Sequence, residues 1–115
     1  SYSGIAEAQE TVSAALAFRR SAELSIREQV RSDLALLNSL EIRLPALQEA
    51  TRTAIEVYES YQRQFLIGRK SWLDVMNSAR DLQQARLQLV DVTAGHLTLS
   101  WRLYVLANPP QAIGG

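Results

Sequence analysis

Apolar residues recur every three to four positions along two long stretches of the chain. The spacing in the first stretch, residues 5–66, places them on one face of an α-helix. Residues 5–66 are also rich in Ala, Leu, Glu, Gln and Arg, which favour helix formation. The pattern predicts a long helix that packs in a coiled-coil-like manner. The repeated positions are Ile26, Val30, Leu34, Leu37, Leu44, Leu47, Ala54, Tyr58, Tyr61 and Phe65.

The second stretch, residues 72–107, carries two apolar rows. A two-stranded coiled coil needs only one narrow stripe on each helix. Two rows therefore predict a helix contacted on two sides, as in a bundle or in the wall of a helical barrel. The first row is Val75, Ala79, Leu82, Ala85, Leu89, Val92, His96, Leu99, Leu103 and Leu106, and the second row is Leu87, Val90, Ala94, Leu97, Trp101 and Tyr104.

Gly68 lies between the two stretches and can adopt the left-handed conformation that closes a helix C-terminus. Ser71, followed three residues later by Asp74, resembles a capping box that starts the next helix. A helix end followed at once by a helix start predicts an all-α fold, a long antiparallel hairpin with its tip at residues 67–71. Folding back there brings Phe65 near Trp72.

The remaining interruptions modify this hairpin without dividing it. Pro45 predicts a bend near residues 41–45, not a break, because the apolar spacing resumes beyond it. Residues 1–30 extend past the end of the second helix and have no partner in the hairpin, although they form an apolar face. We therefore expect the chain to self-associate, since an uncovered helix of this kind is poorly stable alone.

The composition argues against several classes of function. The 12 basic and 12 acidic residues balance, which argues against a nucleic-acid partner, and the chain has no cysteine and one histidine, His96. We expect His96 to be a packed residue with one hydrogen bond, not a metal ligand. No nucleophile–base pair, phosphate loop or dinucleotide fingerprint is present, so we expect no enzymatic activity, no metal and no cofactor.

The residues around the corner resemble those of a known family. A helix that ends in an aromatic residue is followed by Gly, Ser, Asp, Val and Met at fixed spacing: Phe65, Gly68, Ser71, Asp74, Val75 and Met76. This motif resembles the second periplasmic helical hairpin of TolC-like outer-membrane efflux and secretion channels. The segment VRSDLALLNSL at 30–40 resembles the family pattern before that hairpin. Residues 1–4 resemble a lead-in from a preceding strand, and residues 108–115 an irregular tail.

The resemblance implies a periplasmic part of an outer-membrane protein in a Gram-negative bacterium. Members of this family are homotrimers that form an α-helical barrel, dock a periplasmic adaptor protein and, through it, an inner-membrane transporter. They conduct substrates passively. The segment GRKSWLDV at 68–75 is more similar to the type I secretion branch, which exports large proteins such as adhesins and toxins, than to the multidrug efflux branch. Multidrug efflux stays an alternative.

The resemblance also implies roles for individual residues. Gly68, Arg69, Lys70 and Ser71 match the tip that docks the adaptor. Lys70 matches a cation that helps to hold the closed state, and Phe65 matches a tyrosine of the same latch. At the constriction, Asp74 keeps an acidic position, whereas Asn77 replaces an acidic one, so a full ring of carboxylates is not expected there.

Two other classes of protein use similar helices. A periplasmic adaptor also contains a long helical hairpin, but its tip should show an Arg-Leu-Ser pattern, and this tip does not. A purely structural tethering coiled coil should carry a single apolar row on each helix. The two rows of residues 72–107 argue against it.

Overall fold

The computed structural model describes residues 2–111, which form two α-helices and no strand. Helix α1 spans Tyr2–Leu66 and helix α2 spans Trp72–Ala107. The predicted all-α fold is confirmed. The chain divides into two compact units, residues 1–35 and residues 36–115. The second unit contains the remainder of α1, the tip and all of α2.

Helix α1 begins earlier than the sequence indicated. Residues 2–4 were expected to form a lead-in from a strand, but they are helical. The residues after Gly4 favour helix formation, and the helix continues toward the N-terminus past Gly4, because a glycine in the first turn destabilises a helix only slightly. The helix also continues unbroken through Pro45. The predicted bend there stays a prediction.

In the first unit, every residue from 2 to 29 is exposed. A groove along one face of this helix is lined mainly by apolar side chains, with Gln9 and Ser13 among Ile5, Ala8, Val12 and Leu16. The face that the sequence predicted is therefore present and open to solvent.

In the second unit, α1 and α2 run antiparallel. Contacts join Glu41 to His96, Thr51 to Ala85, and Phe65 to Trp72, so residue numbers rise on one helix as they fall on the other. The main apolar cluster contains Leu40, Val92 and Leu99, and Leu37, Leu44 and Leu47 pack against it. This antiparallel pairing places residues 67–71 at the closed end of the hairpin, where the two helices are joined.

Two polar contacts accompany the apolar cluster. The buried Thr51 hydroxyl donates to the Leu47 carbonyl oxygen at 2.8 Å and lies 3.5 Å from the Ala85 carbonyl oxygen on the opposite helix. His96 Nε2 lies 3.3 Å from a Glu41 carboxylate oxygen, again between the two helices. The hydroxyl is thus satisfied in the interior, where an unpaired polar group would destabilise the fold.

The two apolar rows of α2 have different surroundings. The first row faces α1, with Val75, Leu82, Val92 and Leu99 buried. The second row is exposed along its length, from Leu87 to Tyr104. At the C-terminal end of this row the Trp101 and Tyr104 rings stack with centroids 5.5 Å apart.

Helix α2 ends at the Asn-Pro-Pro sequence. The backbone N–H and the side-chain amide of Asn108 both donate to the Tyr104 carbonyl oxygen, at 2.9 and 3.0 Å. The two prolines that follow cannot continue the helix. Residues 109–111 are irregular, and residues 112–115 of the predicted tail lie outside the described residues.

Candidate functional site: the hairpin tip

The end of α1 is closed by a backbone motif centred on Gly68. Gly68 N–H donates to the Phe65 carbonyl oxygen at 3.1 Å, and Arg69 N–H donates to the Gln64 carbonyl oxygen at 2.8 Å. Together these bonds form a Schellman motif, which requires a left-handed residue at its centre. Gly68 has φ of +76°, a conformation that glycine adopts without the steric cost of a Cβ atom.

The start of α2 is closed by side chains. The Ser71 hydroxyl accepts a hydrogen bond from Asp74 N–H at 3.1 Å, and the Asp74 carboxylate accepts one from Ser71 N–H at 3.1 Å. This reciprocal pair is the capping box that the spacing of the two residues predicts. The chain reverses within residues 67–71, and both helix ends meet their hydrogen-bonding needs locally.

The capping box also controls the charge of Asp74. The hydrogen bond from Ser71 N–H, then the Ser71 side chain and the nearby Lys70 ammonium, lower the pKa of the Asp74 carboxyl. Each of these groups favours the ionised form. Asp74 therefore stays a carboxylate at neutral pH, and one of its oxygens is already engaged within the tip.

The two cations of the tip have different surroundings. Lys70 Nζ lies 4.5 Å from the centroid of the Tyr61 ring, a cation–π contact between α1 and the corner. Arg69 is exposed, and within residues 2–111 its guanidinium makes no recorded hydrogen bond or ion pair. Lys70 is thus held by the hairpin, whereas Arg69 presents its charge to solvent.

Several large apolar side chains surround these cations. The Phe65 and Trp72 rings pack across the corner with centroids 5.5 Å apart, as the short tip predicted. Leu66 is 81% exposed, Ile67 67% and Leu73 67%. Beside them lies a groove of about 290 Å³ lined by Tyr58, Gln62, Phe65, Leu66, Trp72, Val75 and Met76. The tip is therefore a cationic surface with an apolar surround.

Most of the residues singled out from the sequence lie together at this tip. Gly68 and Ser71 form the corner, Arg69 and Lys70 flank its outer surface, and Phe65 supports it from α1. Asp74 belongs to the capping box. Asn77 is exposed on α2, three residues further on, and takes no part in the recorded tip hydrogen bonds.

Sequence reasoning missed the role of Tyr61, which was assigned only to the apolar face of α1. Its ring lies under the Lys70 ammonium because the chain reverses between the two residues. An aromatic residue on the last turns of α1 facing a cation of the corner was the available signal. The path of the corner was needed to connect the two.

Among residues 2–111 there is no group of three or more His, Asp and Glu side chains that could hold a metal ion. Neither described helix is both long and apolar enough to cross a membrane.

The hairpin and its tip motif agree with one protein family. The chain matches the family model described as outer membrane efflux protein over residues 2–108, and it belongs to that family. The resemblance to TolC-like channels is thereby confirmed. Channels of this family are trimeric outer-membrane proteins of Gram-negative bacteria that dock adaptor proteins. No curated protein and no solved structure gives a significant match.

Proposed function

We propose that this chain forms the periplasmic hairpin of a trimeric export channel and that its tip docks a periplasmic adaptor coupled to an inner-membrane transporter. Membership of the outer membrane efflux protein family supplies the channel. The observation that carries the docking role is the tip itself. Its corner is complete without a partner, yet it exposes Arg69 and large apolar side chains such as Leu66 and Ile67.

The wall of the channel is the proposed place of the second apolar row of α2. This row, with Leu97 at 69% exposure, has no cover within the described hairpin. A helix in a barrel wall has neighbours on two sides, which accounts for one row that is buried against α1 and another that is left exposed. The same reasoning extends to residues 2–29, whose open apolar face would also be covered in the assembly.

The gate is the proposed role of Phe65, Lys70, Asp74 and Asn77. In the trimer, three copies of the tip converge, so Lys70 would face acidic or polar groups of neighbouring tips. Its contact with Tyr61 gives it a defined position from which to do so. Asp74 would supply one carboxylate per subunit, and Asn77 would supply none, which weakens selectivity for cations at that level.

For the cargo, we propose large proteins of the type I secretion class, on the similarity of the residues at 68–75. Small molecules carried by multidrug efflux are the alternative. In either case conduction is passive, and we propose no enzymatic step. The family match favours this channel over the periplasmic adaptor and over the tethering coiled coil.

Conductance of the full-length protein in a planar bilayer tests the proposal. We expect a small, mostly closed conductance, and Lys70→Glu should raise it because like charges would meet at the crowded tip. Arg80→Glu, on an exposed face of α2 away from the corner, is the matched control. A folded trimer without conductance would contradict the channel, and an unchanged closed state in Lys70→Glu would remove Lys70 from the gate.

A further inference from the structure

We propose that Tyr61 is a positioning residue of the gate, and that the face of its ring holds the Lys70 ammonium where the closed state needs it. This inference rests on the proposed role of Lys70 and adds a residue that acts through it. Tyr61 lies on α1, outside the corner and outside the positions that the resemblance assigns to the gate. Its contact with Lys70 is the observation that points to it.

The contact joins α1 to the corner. Lys70 Nζ lies 4.5 Å from the centroid of the Tyr61 ring, within the distance of about 6 Å over which an aromatic face attracts a cation. Both residues are half-buried, so water weakens this attraction less than it would at a fully exposed site. The ring therefore gives Lys70 a fixed partner on its own hairpin.

Lys70 has no other strong anchor among residues 2–111. None of the ion pairs recorded there includes Lys70. The Asp74 carboxylate, the closest acid along the chain, accepts its recorded hydrogen bond from Ser71 N–H. A lysine side chain is long and flexible, and it loses much rotamer freedom when it is held in one place. Without the ring, Lys70 would therefore sample many positions around the corner.

The ring contact leaves Lys70 able to bind a second group. An ammonium group carries three N–H donors, and an aromatic face covers it from one side. The remaining donors can reach an acceptor on a neighbouring tip. Because the ring has already restricted the side chain, less freedom is lost when that acceptor is bound, and the closed state is favoured over the open one.

The proposed role belongs to the face of the ring and not to its hydroxyl, which has no recorded hydrogen bond within residues 2–111. Phenylalanine offers the same aromatic face, whereas leucine is apolar and lacks it. Tyr61→Phe should therefore preserve the position of Lys70, and Tyr61→Leu should release it. Tyr58→Leu is the matched control, because Tyr58 lies on the preceding turn of α1 and no cation is recorded over its ring in the described part of the chain.

Nuclear magnetic resonance of the 115-residue chain tests the contact directly. Protons that lie over an aromatic face resonate upfield, so the ε-methylene protons of Lys70 should be shifted upfield in the wild type and in Tyr61→Phe. The shift should be lost in Tyr61→Leu and kept in Tyr58→Leu. Lys70 protons without an upfield shift in the wild-type spectrum would overturn the inference.

The closed-state conductance of the full-length channel tests the role in the gate. Tyr61→Leu should raise the ratio of open to closed time about two- to fivefold, the factor that corresponds to ordering part of one flexible side chain. Tyr61→Phe should restore the wild-type ratio, and Tyr58→Leu should stay close to it. A ratio that rises as much in Tyr61→Phe as in Tyr61→Leu would contradict a role for the ring face.

Lys70→Gln distinguishes positioning from a general loosening of the tip. If Tyr61 acts through the Lys70 ammonium, Tyr61→Leu has no further effect once Lys70 is replaced by glutamine. A ring that only packed the end of α1 would raise the ratio equally in both backgrounds, and this result would overturn the inference. Trimer levels, followed by native gel, should be the same in all variants, because the hydrogen bonds that close the corner do not use Tyr61.

The outcomes separate this inference from the proposed function. If Lys70→Gln opens the channel and Tyr61→Leu does not, Tyr61 has no positioning role while Lys70 remains in the gate. If neither Lys70→Gln nor Lys70→Glu alters the closed state, the proposed role of Lys70 fails, and the inference fails with it.

Discussion

The corner at Gly68 offers the most direct test of the local structure. Gly68→Ala should destabilise the hairpin by about 1 kcal/mol. Its φ of +76° costs an L-residue with a Cβ atom about 1–2 kcal/mol. Alanine also restricts the unfolded chain, which offsets about 0.4–1 kcal/mol of this. No atom lies within 4 Å of the position of the added Cβ, so the loss is conformational and involves no clash.

The same substitution at Gly95 provides a control of opposite sign. Gly95 lies inside α2, where alanine is favoured over glycine by about 1 kcal/mol. Its added Cβ would lie 3.4 Å from Leu40 Cδ1, the end of a flexible side chain that can yield slightly. Gly95→Ala should therefore leave stability unchanged or raise it by up to about 1 kcal/mol. Gly68→Asn should fall between wild type and Gly68→Ala, because asparagine adopts the left-handed region more readily.

Urea unfolding of the 115-residue chain, followed by circular dichroism, measures these differences. All variants are compared at one protein concentration, because association stabilises the folded state. A loss of about 1 kcal/mol should lower the midpoint by roughly 0.5 M urea. If Gly68→Ala unfolds at or above the wild-type midpoint while Gly95→Ala behaves as expected, the chain does not turn through a left-handed residue at position 68.

Two further predictions concern the capping box and the open faces. Because the pKa of the Asp74 carboxyl is lowered, its carboxylate stabilises the hairpin fully above the ordinary pKa of 3.8, and this stabilisation is lost as pH falls through the lowered value. Asp74→Asn should therefore flatten the acid part of a plot of unfolding free energy against pH. An unchanged acid slope would contradict the capping role. The isolated chain should self-associate at micromolar concentration, because its apolar faces are uncovered. Leu97→Glu combined with Val12→Glu, at two exposed apolar positions, should shift the chain toward monomer in sedimentation velocity. A well-folded wild-type monomer would contradict this prediction.

The sequence predicted those features that depend on short spacing. The helix stop at Gly68, the pairing of Ser71 with Asp74 and the contact of Phe65 with Trp72 all follow from residues close to the corner. The structure contains each of them. Local rules suffice here because backbone hydrogen bonds and caps are satisfied by near neighbours.

Features that depend on the path of the chain were out of reach. Periodicity found both apolar rows of α2 but could not say that the row containing Val92 faces α1 and the row containing Leu97 does not. Thr51 is polar, and its burial follows from the hydrogen bond to the Leu47 carbonyl oxygen, which the amino-acid type alone does not predict. Tyr61 could be placed under Lys70 only once the geometry of the corner was known.

The corner separates the residues that shape it from those that a partner can contact. Its turn is held by backbone bonds at residues 68 and 69 and by the Ser71–Asp74 capping box, none of which needs the side chain of Arg69 or Ile67. The side chains at 67 and 69 can therefore change without loss of the turn, whereas a change at 68 alters the backbone itself. The chemical character of the tip surface can thus change through positions 67 and 69 alone, while the corner and the two helices keep the same geometry.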